Sequence, residues 1–365
     1  MKTKVKTKSA PRGRAKSTVK PKTAPKTKGR VGFLRRIVAL LAWLCLLAAL
    51  LGTVSRELPE ELQSLPYVPA VAAAAPWFAL LALVALLLAL ASRRWVAALL
   101  AIACIGFQGW RQYPYLVAQT HIGDAAISAV GKNHADTYDS YARVMTANVY
   151  KGRASAKAVV ETVRDQRVEV LALQETTKPF IRALKAEGID DYLPYSQVSS
   201  SDGKYGNALF SATALDSPAD DDVDSSASFM PGGTVSFADG KIPVRFVSVH
   251  TTSPKPGYWN TWRTSLDDVA MMRTHTNTRY VLMGDFNATT DHTPFRNILG
   301  SRFHDAAQSS GSGFVFTWPA NRPGIPKFAG IDHIVLDRGM VAGQVGAVAL
   351  PGSDHAALLA TIDVK

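Results

Sequence analysis

Apolar residues are concentrated in the first third of this 365-residue chain, where they form three long stretches. The stretches cover residues 37–54, 71–91 and about 95–113. A helix needs about 20 apolar residues to cross a bilayer, with a range of roughly 17 to 25. We therefore predict about three transmembrane helices in a membrane domain over residues 37–118, with the lipid bilayer as its partner. A cleaved signal peptide is the alternative for the first stretch, although no clear A-x-A cleavage site follows Val54.

The net charge of +12 belongs to the N-terminal tail and not to the rest of the chain. Residues 1–36 contain 14 Lys and Arg and no acid, whereas the remainder holds 27 basic and 29 acidic residues. The tail has almost nothing to bury, so we predict that it is disordered. Basic residues favour the cytoplasmic side of a membrane. Three spans would then make the domain after them extracellular, whereas two spans would leave it in the cytoplasm.

Residues 119–365 have the pattern of a single mixed α/β domain. Short runs rich in β-branched residues predict strands, and stretches with apolar residues at spacings of 3 and 4 between them predict helices. The predicted strands are Ala142–Val149, Val168–Leu173, Ala208–Phe210, Val244–Val249, Tyr280–Met283, Ile331–Leu336 and Ala356–Ile362. The predicted helices are Ser155–Gln166, Lys178–Ala186 and Trp259–Thr274.

Polar residues recur at the ends of these predicted strands. Strand ends on one side of a sheet converge, so their carboxylates, amides and imidazoles are expected to share one cleft. Carboxylate oxygens bind Mg2+, and imidazoles move protons or stabilise developing negative charge. The set therefore predicts metal-assisted phosphoester hydrolysis. Its members are Asn148, Glu175, Asn207, His250, Asp285, Asn287, Asp332, Asp354 and His355.

The order of the motifs around these residues resembles the endonuclease/exonuclease/phosphatase superfamily, which includes deoxyribonuclease I and neutral sphingomyelinases. The motifs are TANVY, LQET, YGNALFS, SVHTTSP, GDFNAT, GIDHI and GSDHAAL, of which GDFN and the closing SDH are the most specific. The resemblance implies a four-layered α/β sandwich, with two packed β-sheets flanked by helices. Together with the preceding apolar stretches, it is similar to membrane-anchored bacterial members of that family.

The resemblance also implies roles for the residues on the metal side of the site. Glu175 would be the principal metal ligand, and Asp354 would be a second carboxylate beside the metal. Asn148 would lie next to the metal or the phosphate, and Asn207 would line the phosphate cleft. The implied cofactor is Mg2+, with Mn2+ as the alternative, because the donors are oxygen and imidazole and no thiolate is available after Cys104.

The remaining residues would carry out the chemistry. Asp285 would align or deprotonate the attacking water, and Asn287 would hold the phosphoryl oxygen in the transition state. His355 would contact the scissile phosphate, with Asp332 fixing its tautomer. His250 matches a histidine that deoxyribonuclease-like and sphingomyelinase-like members use as a proton donor.

The substrate stays open at this level. The nearly neutral charge of the domain weakens a nuclease interpretation, since nucleases usually carry a basic groove. A nucleic acid, a phospholipid headgroup and a small phosphodiester all fit the motifs, and anchoring would favour the lipid. The alternative from another class is a membrane sensor or scaffold that binds a phosphorylated ligand without cleaving it.

Overall fold

The structure is a computed structural model that describes residues 1–5, 28–131 and 136–365. The predicted disordered tail falls mostly on residues 6–27, which lie outside the described residues. The N-terminal part consists of long apolar helices with two short helices between the first and the second of them. These are α1 Lys28–Ser55, α2 Glu60–Gln63, α3 Val68–Ala73, α4 Ala75–Ser92 and α5 Trp95–Leu116.

Two of these helices are long and apolar enough to cross a membrane, namely Gly32–Ser55 within α1 and Ala75–Ser92. The prediction of about three spans therefore needs correction, because α5 does not reach the hydropathy of the other two. Its last turns carry polar and charged side chains, namely Gln108, Arg111 and Gln112.

The three long helices pack together through small residues. Ala42, Ala49, Ala82, Ala89 and Ala101 are buried between them, and side chains of this size let helices approach closely. The start of α1 lies beside the end of α4, because Arg35 Nε donates to the Ser92 carbonyl at 2.9 Å. At the other end of the bundle, Arg111 Nε lies 3.1 Å from Glu57 Oε1. The helix α5 thus returns the chain to the end where α1 stops.

The rest of the described chain contains twelve strands and six more helices. The strands are β1 Tyr141–Asn148, β2 Val170–Gln174, β3 Tyr195–Ser199, β4 Asn207–Ser211, β5 Asp216–Ala219, β6 Gly232–Phe237, β7 Ile242–His250, β8 Tyr280–Asp285, β9 Phe303–Asp305, β10 Asp332–Asp337, β11 Val341–Ala349 and β12 Ala356–Asp363. The helices are α6 Asp124–Val130, α7 Ala156–Gln166, α8 Lys178–Ala186, α9 Trp259–Ala270, α10 Thr293–Leu299 and α11 Ala306–Ser309.

The strands form two six-stranded mixed sheets that pack face to face. Their strand orders are β11-β12-β1-β2-β4-β3 and β5-β6-β7-β8-β10-β9. Each sheet has one parallel pair, β1 with β2 and β7 with β8, and its other pairs are antiparallel. Aliphatic and aromatic side chains such as Val144, Leu209, Phe246 and Ile334 fill the space between the sheets.

Helices cover the outer face of each sheet. Side chains of α7 and α8 pack on the first sheet, and those of α9 and α10 pack on the second. The central strands are therefore buried on both faces, which is why β1, β2 and β8 read as continuous apolar runs. The predicted α/β sandwich is confirmed by this arrangement.

Pairing between strands brings the polar residues to one edge of the sandwich. Asn148 is the register partner of Gln174, which pairs in turn with Asn207. In the second sheet, Asp285 is the register partner of both His250 and Asp332. The glycine of the GDFN motif allows the close approach of β7 and β8 here, because a Cβ on Gly284 would lie 1.8 Å from the Val249 carbonyl oxygen.

Candidate active site

A cavity of about 520 Å³ lies at this edge of the sandwich, and six of the nine predicted residues line it. The six are Glu175, His250, Asp285, Asn287, Asp354 and His355. Asn148 and Asp332 do not line the cavity, but each contacts a residue that does. Asn207 lies behind Glu175 and not in the cleft where the resemblance places it. The structure thus brings the whole set together, with Asn207 in a supporting position.

Asp285 is held at the centre of the site by groups from both sheets. Asn148 Nδ2 donates to Asp285 Oδ2 at 3.0 Å, and the backbone amide of Asn287 donates to Asp285 Oδ1 at 2.8 Å. His355 Nε2 lies 3.6 Å from Oδ2. Burial raises the pKa of Asp285, although His355 opposes that shift. A carboxyl group with a raised pKa is better suited than an ordinary one to accept a proton.

His355 and Asp332 form a buried ion pair. His355 Nδ1 donates to Asp332 Oδ2 at 2.8 Å, which leaves Nε2 directed toward Asp285. Burial lowers the pKa of His355, but the attraction of Asp332 and Asp285 outweighs it and raises the pKa to about 10. The imidazole is therefore a cation at neutral pH, and it can stabilise negative charge or donate a proton.

His250 has the opposite electrostatic character. Its Nε2 lies 3.8 Å from Asp285 Oδ2 and 3.9 Å from Glu175 Oε1. Burial lowers the pKa of His250 to about 4, despite the attraction of Asp285. The site thus contains one neutral and one charged imidazole on either side of the same carboxylate.

Glu175 and Asp354 have the character expected of metal ligands. Glu175 Oε2 and Asp354 Oδ1 are buried, and neither has a hydrogen-bond partner among the described residues. Burial and the nearby Asp285 raise the pKa of Glu175 to about 7, and burial raises the pKa of Asp354. Buried carboxylate oxygens without donors are costly unless a cation compensates them. These two residues therefore fit a hard divalent cation.

The most closely grouped ligand atoms belong to a different trio, Asp285, Asp332 and His355, whose atoms lie within 4.8 Å of one another. We favour Glu175 and Asp354, because Asp332 Oδ2 and His355 Nδ1 already bond each other. Asp332 Oδ1 is also buried without a partner, so this edge of the cluster has one further free oxygen.

Asn207 positions Glu175. Its Oδ1 accepts from the Glu175 amide at 3.3 Å, and its Nδ2 donates to the Phe229 carbonyl at 2.6 Å. Glu175 itself has a φ of 57°, a left-handed conformation that is unfavourable for Glu and persists only when the surroundings hold it. The hydrogen bonds of Asn207 are part of that restraint.

Several residues around the cavity were not predicted from the sequence. Ser353 is buried within the SDH motif, where its hydroxyl donates to the Asn148 carbonyl at 2.7 Å and accepts from the His355 amide at 2.9 Å. Its place in the motif was a usable signal. Lys255 follows His250 closely enough to have been considered. The other lining residues were not predicted as site residues; they are Pro69, Ala70, Ala73, Ser253, Pro254, His292, Trp318, Phe328, Ala329 and Ile331.

Replacing Ser353 with Ala is expected to lower both stability and activity. The change leaves the buried His355 amide without its acceptor, which typically costs about 1–3 kcal/mol. We expect a fall of several degrees in melting temperature and a smaller kcat, measured on the same preparation. Ser301→Ala, at an exposed position, is the control. An unchanged melting temperature for Ser353→Ala would contradict the role of the hydroxyl.

Comparison with known proteins identifies this arrangement. The model of the Endonuclease/Exonuclease/phosphatase family matches residues 145–355, which is more than half of the chain. The chain belongs to this family, so it is a phosphoester hydrolase by membership. Enzymes of the family depend on a divalent metal ion, in agreement with the free carboxylate oxygens described above.

Solved structures show the same fold. A humanized D. rerio TDP2 shares 15% identity with a TM-score of 0.50, covering 61% of this chain and 99% of that one. The Bacteroides thetaiotaomicron mannosyl-6-phosphatase Bt3783 shares 16% identity with a TM-score of 0.48, covering 60% and 99%. No curated protein sequence matches the chain. At these identities the similarity concerns the fold alone.

Proposed function

We propose that this protein is a membrane-anchored phosphoester hydrolase that uses Mg2+. The observation that carries the proposal is the position of Asp285, which Asn148 and the Asn287 amide hold beside the cationic His355. A non-catalytic sensor would need to bind a phosphate but would have no use for a carboxylate with a raised pKa in contact with two imidazoles.

Each residue of the cluster has a task in attack by water on a phosphoester. Asp285 orients the water and accepts its proton. The side-chain Nδ2 of Asn287 donates one of its two hydrogens to the Thr251 carbonyl at 2.9 Å. The second hydrogen is left for a phosphoryl oxygen. His355 Nε2 supplies positive charge to the phosphoryl oxygens and a proton to the leaving oxygen as the ester P–O bond breaks. Mg2+, when bound by Glu175 and Asp354, would neutralise part of the charge that develops there.

The test of the proposed function is a substrate panel with the full-length protein in detergent and Mg2+. The substrates are a small chromogenic phosphodiester, a phosphomonoester, plasmid DNA, single-stranded DNA, RNA and phospholipid vesicles. A D. rerio TDP2 is described in complex with single-strand DNA product, so DNA has a place in the panel. We expect hydrolysis of at least one substrate. Hydrolysis of none would contradict the proposal.

Addition of Mg2+ is expected to stabilise the protein against unfolding. A ligand at 100 times its Kd stabilises the folded state by about 2.7 kcal/mol, and we expect a higher melting temperature in a thermal scan with Mg2+. Glu175→Gln should remove most of this increase, whereas Glu187→Gln, at an exposed position, should retain it. An equal increase in both variants would show that Glu175 is not a ligand. A parallel scan with Mn2+ tests the alternative metal.

Membrane anchoring is supported by the surface of the helix bundle. Leucines around α1 and α5 are well exposed, with Leu40 at 60%, Leu51 at 62% and Leu99 at 66%. Monomeric soluble proteins rarely expose a contiguous apolar surface of this kind, whereas a lipid environment favours it. We therefore assign the exposed face of the bundle to the bilayer.

The proposed location is the cell membrane, with the catalytic sandwich on the extracellular side. Arg35, Arg93 and Arg94 lie at one end of the bundle, and the sandwich contacts the other end through Arg56 and Trp77. Basic residues favour the cytoplasmic end. This orientation requires α5 to cross the bilayer in addition to the two helices that are apolar enough to span it alone: α5 is less apolar, but it packs against α1 and α4 and returns the chain to the sandwich. Protease treatment of intact cells is expected to digest the sandwich; complete protection would contradict this orientation.

A further inference from the structure

One wall of the catalytic cavity comes from outside the sandwich. Pro69, Ala70 and Ala73, all on helix α3 between the two candidate spans, line the same cavity as Glu175 and His355. The connection between two apolar helices is therefore part of the site where the chemistry takes place. This wall is apolar, and its small side chains leave room beside it.

The wall is firmly attached to the catalytic loop that follows β8. His292 Nε2 donates to the Pro69 carbonyl at 2.8 Å, while its Nδ1 accepts from the Thr289 amide at 2.8 Å. Gln63 Oε1 accepts from the Thr293 amide at 2.7 Å. The Pro69 bond holds α3 itself and the Gln63 bond holds the preceding α2. Because both reach the segment just after the GDFN motif, α3 is held beside the loop that carries Asn287.

The neighbouring wall is also apolar, and it too contacts the helix bundle. It is formed by Trp318, Phe328, Ala329 and Ile331. Trp77, at the start of α4, donates from Nε1 to the Phe328 carbonyl at 2.9 Å and stacks on Phe316 with ring centroids 5.6 Å apart. This second wall therefore lies directly on the end of a helix that we assign to the bilayer.

The lining of the cavity thus has two chemically different parts. The catalytic carboxylates and imidazoles form one part, and the α3 and Trp318 walls form the other. Among the described residues that line it, Lys255 is the only Lys or Arg. A groove for a nucleic acid backbone needs several basic side chains, whereas the lining of this cavity combines Lys255 and the catalytic His355 with a largely apolar surface at the end of the helix bundle.

We propose that α3 is part of the substrate site, and that the substrate is an amphiphilic phosphoester whose apolar chain comes from the bilayer. Its phosphoryl group lies among the catalytic residues, and the first part of its apolar chain lies between the α3 wall and the Trp318 wall. The inference rests on the proposed hydrolase function and names the substrate class for the same site. Helix α3 would then determine specificity without taking part in the chemistry.

The test compares two chromogenic phosphodiesters that differ only in chain length, p-nitrophenyl methyl phosphate and p-nitrophenyl octadecyl phosphate. The full-length protein is assayed in lipid nanodiscs with Mg2+. Burial of several methylene groups in the cavity is expected to raise kcat/KM for the octadecyl ester at least about tenfold over the methyl ester. Single-stranded DNA is included as a competing substrate class.

Two variants on α3 distinguish an effect of the cavity wall on kcat/KM from an effect of the surrounding lipid. Ala70 and Val71 are adjacent and both exposed, but only Ala70 lines the cavity. Ala70→Asp is expected to reduce the octadecyl-to-methyl ratio of kcat/KM at least about tenfold, because it places a charge on the apolar wall. Val71→Asp should keep the ratio of the wild type. Melting temperatures of both variants establish that they are folded.

The outcomes distinguish the two proposals. Hydrolysis of both esters at similar kcat/KM, or faster hydrolysis of single-stranded DNA than of the octadecyl ester, overturns the amphiphilic substrate and leaves the hydrolase function intact. An equal loss of the ratio in Ala70→Asp and Val71→Asp overturns the role of the α3 wall. Hydrolysis of neither ester nor DNA, with hydrolysis of another substrate of the panel, also overturns the amphiphilic substrate and leaves the hydrolase function intact, whereas hydrolysis of no substrate of the panel overturns the hydrolase function itself. The wild-type ratio alone decides the substrate class even if a variant does not fold.

Discussion

Replacing Asp285 with Asn is expected to lower kcat/KM at least about 100-fold for every phosphoester that the protein hydrolyses. The variant keeps the shape of the side chain but loses the negative charge that faces His355 and the ability to accept a proton from water. In the wild type, Asn148 Nδ2 and the backbone N–H of Asn287 each donate to one carboxylate oxygen of Asp285. The Asn side chain has only one acceptor oxygen, so at least one of these hydrogen bonds is lost or rearranged.

The same variant is expected to remain folded with a melting temperature near that of the wild type. Burial raises the pKa of Asp285, which means that the folded state disfavours its charged form, and removal of that charge by Asn offsets the lost hydrogen bond. Activity should therefore fall without a matching fall in melting temperature. Asp239→Asn, in an exposed turn between β6 and β7, is the matched control. Retention of wild-type activity in Asp285→Asn would contradict the assignment of Asp285.

Replacing Arg56 with Ala is expected to destabilise the protein by about 3–5 kcal/mol, because it leaves the buried Asp291 carboxylate without its partner. The Arg56 guanidinium donates to Asp291 Oδ1, and both side chains are almost fully buried. The pair joins the residue just after α1 to the loop that follows the GDFN motif. We expect a fall of roughly 10 °C in the melting temperature of the full-length protein.

Two further variants show whether the effect comes from the unpaired charge. Arg56→Met combined with Asp291→Leu removes both charges and should recover most of the lost stability, since a buried ion pair can be replaced by apolar residues at little cost. Arg182→Ala, on the exposed face of α8, should change nothing. A double variant as unstable as Arg56→Ala would mean that the loss comes from packing and not from the charge of Asp291.

The seven predicted strands correspond to strands of the two sheets because their apolar runs are buried on both faces. The strands that were missed are short, lie at edges or contain polar residues and glycine. β3 and β5 are largely exposed edge strands, and β11 contains Gly343 and Gly346 at a register shift. Such strands are held by pairing with a neighbour, which a local pattern does not record.

Two histidines, His333 and His355, show that strand register also decides which side chains meet Asp332. His333 lies next to Asp332 in the sequence, yet it donates to the Ala288 carbonyl and pairs with Asp305 away from the cavity. His355, more than twenty residues later, is the partner of Asp332. Alternation along a strand sends adjacent side chains to opposite faces, which explains why His355, as the resemblance implied, and not the adjacent His333 pairs with Asp332.

The sequence by itself determined the α/β class, the family and the set of residues at the catalytic edge, because burial and strand ends leave patterns along the chain. It also located the apolar helices, although it overestimated by one how many are apolar enough to span a membrane. Only the tertiary structure decided that Asn207 supports Glu175, that Ser353 joins two catalytic strands, and that helix α3 forms a wall of the active site. These contacts connect residues as far apart as Pro69 and His292, and packing across such distances has no local signature in the sequence.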